Sequence, residues 1–144
     1  MDSTDFSQIT GILQDGGVDI LFAGHWHYFE RYLPYNPATK QVDTAAVSAD
    51  SHTYTRPKFV TMIVSGAPGD VERNDACPGD PSLKDIVPTC TPQYGYGILT
   101  VHNASAVTWE FTAEATPIGV GRGPRRRPFL APQAGYTDYL HLVK

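Results

Sequence analysis

An α/β fold is predicted by three features: a helical stretch halted at Asp15-Gly16-Gly17, a nearly unbroken apolar run just behind it, and two strand-like runs joined by Asn-Ala-Ser. Residues 5–14 put Phe6, Ile9, Ile12 and Leu13 at spacings of three and four, one apolar face of a helix, although Gly11 weakens it. Glycine is the usual residue just past a helix end, so the helix stops there. "VDILFA", residues 18–23, is short and almost wholly apolar, which reads as a strand buried on both faces. "KFVTMIVSG", 58–66, is the next strand. "GYGILTVHN" (95–103) and "AVTWEFTAE" (106–114) make a hairpin. These strands are expected in one α/β sheet layer, and residues 67–92 and the tail from Ala115 read as coil before a short apolar "YLHLV".

The chain has 144 residues, enough for one domain (1–144) with a moderate core. With Gly 13 and Pro 12 it is loop-rich. A formal charge of −4 gives no electrostatic reason for a nucleic-acid or anionic-lipid partner, and Arg125-Arg126-Arg127 reads as a solvated loop. No apolar run approaches the ~20 residues that span a bilayer. The acidic start "MDSTDF" is not the basic opening of a secretory signal, so no export address is expected in the chain as written.

Cys77 and Cys90 bracket a proline-rich loop. They fit two independent thiols or a local disulfide, and two cysteines alone do not decide between these. Asn103-Ala104-Ser105 is an N-glycosylation sequon, which has meaning only in a secreted chain.

Chemistry concentrates in "GHWHYFER", residues 24–31. Ligands of α/β sheets gather outside the carboxyl ends of strands, and this stretch follows such an end. Imidazole is the commonest nitrogen metal ligand, and one intervening residue in extended backbone aims His25 and His27 into one cleft. Gly24 lets the backbone turn as it leaves the strand. Trp26, Tyr28 and Phe29 are candidate cleft walls. Glu30 and Arg31 are candidates for orienting the rings, while a surface ion pair explains Arg31 equally well. Two histidines complete no catalytic metal site, because zinc takes about three protein ligands plus water. His52, His102 and His141 have no partner at ligand spacing, and Asp70 and Asp80 follow glycines in ordinary turns.

"VDILFAGHWHYFER" resembles the last metal-binding block of purple acid phosphatases, in the calcineurin-like metallophosphoesterase superfamily: an apolar strand, Gly-His-x-His, an aromatic, then Glu-Arg. "MIVSGAPGDVE", "YGILTVHNASAVTWEF" and "YTDYLHLVK" resemble later blocks in the right order, so the resemblance covers roughly residues 6–144. It implies the C-terminal half of a metallophosphoesterase α/β sandwich, with a mixed sheet and a terminal hairpin. It implies hydrolysis of phosphate monoesters with Fe(III) plus a divalent ion (Zn, Fe or Mn), His25 on the divalent ion and His27 on the ferric ion. No residue of this chain is implied as the nucleophile. The family's other ligand blocks, Gly-Asp-x-Gly, Gly-Asp-x-x-Tyr, Gly-Asn-His and Val-x-x-His, do not occur before residue 24, so the chain alone is expected to bind metal weakly or not at all and to be inactive. By family the protein is secreted, vacuolar or lysosomal. Two other readings stand beside this one. One is a non-catalytic fragment that binds a partner, or itself, through an uncovered sheet face; the other is a small metal protein completing its site at a dimer interface.

Overall fold

A computed structural model describes residues 3–66, 77–78, 80–113 and 137–144. Asp70, Glu72 and Arg125–Arg127 lie outside the described residues, as does the side chain of Phe6. In chain order come helix α1 (Ser3–Asp15) and strands β1 (Ile20–Ala23), β2 (Phe29–Arg31), β3 (Tyr35–Asn36), β4 (Gln41–Val42) and β5 (Thr53–Thr55). Strands β6 (Thr61–Ser65), β7 (Thr89–Thr91), β8 (Gly95–Asn103), β9 (Ala106–Ala113) and β10 (Thr137–Val143) follow.

The helix ends as its glycines require. Gly16 N–H donates to the Ile12 carbonyl at 3.0 Å, and Gly17 takes φ 72°, a conformation that costs glycine little.

One mixed sheet has the order β1-β6-β2-β7, with β1 and β6 parallel and β2 antiparallel to both its neighbours. A second runs β5-β10-β9-β8, and β3-β4 is a small ribbon. The single layer expected from sequence is therefore corrected to two main sheets. Their separation follows from side-chain alternation. Phe29 points from β2 to a cluster with Phe111, Trp109, Leu140, Tyr54 and Ile63, while Val64, next to Ile63 on β6, faces Tyr28 and Tyr32 on the opposite side. Phe29 and Phe111 stack across the gap with centroids 4.0 Å apart and planes 5° from parallel. Such a pair adds roughly 0.5–1.5 kcal/mol beyond its area burial.

One further expectation is corrected. The strand at 18–23 is not buried on both faces: β1 is an edge strand, Phe22 is 41% exposed, and Val18 precedes the strand. On α1, Ile9 and Ile12 are exposed, Ile12 at 72%, whereas Thr10 is buried. The hairpin holds, with Leu99 opposite Trp109 and a register shift between Val101 and Asn103.

Candidate functional site

Because β1 and β6 are parallel, their carboxyl ends lie side by side, and residues 24–28 leave one of them beside Gly66 at the other. The sharp turn expected at Gly24 is made one residue later. His25 takes φ 77°, a left-handed conformation that costs a side chain about 1–2 kcal/mol. Strain of this kind persists only where its surroundings enforce it. Here Tyr28 N–H donates to the Trp26 carbonyl at 2.9 Å, and Gly66 N–H donates to the Tyr28 carbonyl at 3.2 Å. A Cβ at Gly66 would overlap the Trp26 carbonyl, so only glycine lets β6 come this close to the loop.

On this loop His25 is exposed and His27 half-buried. Trp26 is 52% exposed; its ring stands 5.7 Å from that of His25 and stacks near Tyr28 at 6.3 Å. Tyr28 is buried, forming a floor more than a wall. Glu30 is buried and accepts from the Tyr32 hydroxyl at 3.0 Å. Burial first, and then the neighbouring Glu30 carboxylate, drive the Tyr32 pKa upward, so Tyr32 remains a neutral donor.

Arg31 is not the surface ion-pair residue that one reading of the sequence allowed: it is 1% exposed and faces the other sheet. Nε and Nη2 donate to the two carboxylate oxygens of Asp138 at 2.7 and 2.8 Å, a bidentate fork. Nη1 donates to the Ser51 carbonyl and to the Tyr54 hydroxyl, each at 2.7 Å, and that hydroxyl donates to the Tyr32 carbonyl at 3.3 Å. Burial disfavours the guanidinium charge, but the Asp138 and Tyr54 interactions outweigh it and raise the pKa.

His52 closes the outside of this network. Its Nδ1 lies 2.7 Å from the Tyr139 carbonyl, which can only accept, so Nδ1 carries the proton. Its ring stacks on Tyr139 at 4.3 Å, and Asp138 lies 3.6 Å from Nδ1. A cavity of about 250 Å³ opens beside Arg31, Asp50, His52, Thr89 and Asp138.

Asp138, Tyr54 and His52 were missed as a unit by the sequence reading. One signal was available: Asp138, Leu140 and Leu142 alternate, all three are buried, and an acid on the apolar face of a strand needs a buried partner. Cys77 and Cys90 form a disulfide with Cα atoms 5.9 Å apart. Asn103 sits exposed at the hairpin tip, its Oδ1 accepting from Ser105 N–H and Oγ–H at 2.8 and 2.9 Å.

Among the described residues, no three His, Cys, Asp or Glu side chains are grouped to hold an ion. His25 and His27 fit as two members of a larger ligand set and do not hold a dinuclear centre on their own.

The two main sheets, with the His-x-His loop and α1, define a mixed α/β fold. The sequence profile of the family described as iron/zinc purple acid phosphatase-like protein C matches residues 59–120. An acid phosphatase of Aspergillus ficuum is 32% identical over 102 residues, 69% of this chain and 16% of that protein. The structure of purple acid phosphatase PPD1 from yellow lupin (Lupinus luteus) seeds superposes with a TM-score of 0.60 at 18% identity, over 94% of this chain and 19% of the lupin chain. Over these stretches the chain is similar to the purple acid phosphatase family, and it spans less than a fifth of the length of either relative.

Proposed function

We propose that this chain forms the C-terminal part of a dinuclear metallohydrolase acting on phosphate monoesters, to which it contributes His25 and His27. The observation that carries this reading is their placement on a braced loop at the carboxyl ends of two parallel strands, open to solvent. The family likeness gives His25 to the divalent ion (Zn, Fe or Mn) and His27 to Fe(III). Trp26 and Tyr28 shape the approach, and Glu30 and Arg31 fix the strand behind it. The remaining ligands come from outside these 144 residues. The disulfide and the sequon suit a secreted or vacuolar glycoprotein carrying its glycan on Asn103.

Metal stoichiometry tests the assignment. Titrated with iron and zinc, the chain takes up ions weakly, and His25→Ala with His27→Ala abolishes that uptake. Two tightly held ions per chain would contradict the partial site, and uptake unchanged in the double variant would remove the ligand assignment. Half an ion per chain, with dimerisation, would favour a site shared between copies. Association through an uncovered face has its own support in the exposure of Ile12 and Phe22.

A further inference from the structure

A second cavity, of about 260 Å³, lies between β1 and the hairpin tip. Its apolar wall is Phe22, Leu99, Val107 and Leu142; Asp19 and Lys144 stand at its rim, paired at 3.0 Å. Apolar walls with a few polar groups at one side describe a binding groove, and Phe22 offers it a 41% exposed ring. Asn103, Ala104 and Ser105 also line it, so the sequon is part of the groove itself. Both Ser105 bonds go to Asn103 Oδ1, so neither engages the amide nitrogen, the atom a glycan joins. The Cys77–Cys90 disulfide points independently to the oxidising compartment where sequons are used.

We propose that the first N-acetylglucosamine of a glycan on Asn103 folds back into this groove, its apolar ring face against Phe22 and its polar groups toward Asp19 and Lys144. This rests on the glycosylation read above and adds a docking role to it. Attachment forms a bond from Asn103 Nδ2 to the anomeric carbon as that carbon's bond to a lipid-linked pyrophosphate breaks. The pyrophosphate leaves with the electron pair, and the amide nitrogen loses one proton. The docked sugar then covers apolar surface that water would otherwise meet.

The test is to produce the chain through the secretory pathway of a glycosylating eukaryotic host and trim the glycan to a single N-acetylglucosamine. Intact mass should show one sugar, absent in Asn103→Gln and in Ser105→Ala. Nuclear Overhauser contacts should join the sugar ring protons to the Phe22 ring and vanish in Phe22→Ala, whose mass still shows the sugar. An apolar dye should bind several-fold more strongly to Asn103→Gln than to the trimmed protein. A mass without sugar overturns the glycosylation and the docking together. A sugar present by mass, with no contact to Phe22 and unchanged dye binding, overturns the docking alone.

Discussion

Arg31 and Asp138 stand 107 positions apart in sequence and bind each other with both at 1% exposure, so neither charge has water to fall back on. Removing one partner leaves the other buried and uncompensated, which costs about 3–5 kcal/mol. Arg31→Ala should lower the unfolding free energy by that much, and Arg31→Lys by a large part of it, because an ammonium cannot form the fork. A change within error would mean the pair does not join the sheets. Tyr54, in the same network, gives a pH test. Burial pushes its pKa from 10 up to about 12, against the opposing pull of Arg31. The unfolded chain therefore loses this proton first, and stability should fall as pH rises from about 10 to 12, with no effect below. Tyr54→Phe should reduce that slope without abolishing it, because Tyr32 also holds its proton more tightly when folded. Equilibrium unfolding across this range measures both. The network was only partly legible. Glu-Arg after an aromatic marked the place, but nothing local to Arg31 says that its partner lies on the last strand.

The elements legible in sequence were those with a strong period of their own. Helix α1, β1, β6 and the hairpin appear where periodicity and turn chemistry put them, within a few residues. The three-residue strands β2 (Phe-Glu-Arg), β5 (Thr-Tyr-Thr) and β7 (Thr-Cys-Thr) carry too few residues to show a period, and their pairing is decided by neighbours distant in sequence. The hairpin gives a direct packing test. A Cβ at Gly97 would overlap the Trp109 ring, so Gly97→Ala should cost roughly 1–3 kcal/mol by overpacking and alter Trp109 fluorescence. The disulfide ties β7, paired with β2, to residue 77 across a sequence separation of 13,. Cys77→Ser with Cys90→Ser should lower stability by about 3 kcal/mol in the chain-entropy model. An unchanged midpoint under reducing and oxidising conditions would contradict this.

At the scale of the whole molecule, two sheets are locked by a buried ion pair and a stacked Phe pair, and they hold the His25–His27 loop at one end of the parallel strands. That position was legible from Gly-His-Trp-His after an apolar strand. The bracing was not, because Gly66, just past the end of β6, meets the loop only in three dimensions. A hydrolytic dinuclear centre keeps its ions about 3.5–4 Å apart, which calls for a bridging anionic ligand in addition to neutral imidazoles. The most direct measurement is hydrolysis of a generic aryl phosphate by the 144-residue chain with iron and zinc, beside the His25→Ala, His27→Ala double variant under matched metal. The account predicts no turnover above the metal-only blank for either protein. Robust turnover by the wild type that is lost in the double variant would contradict it, and would mean that these residues build a complete centre.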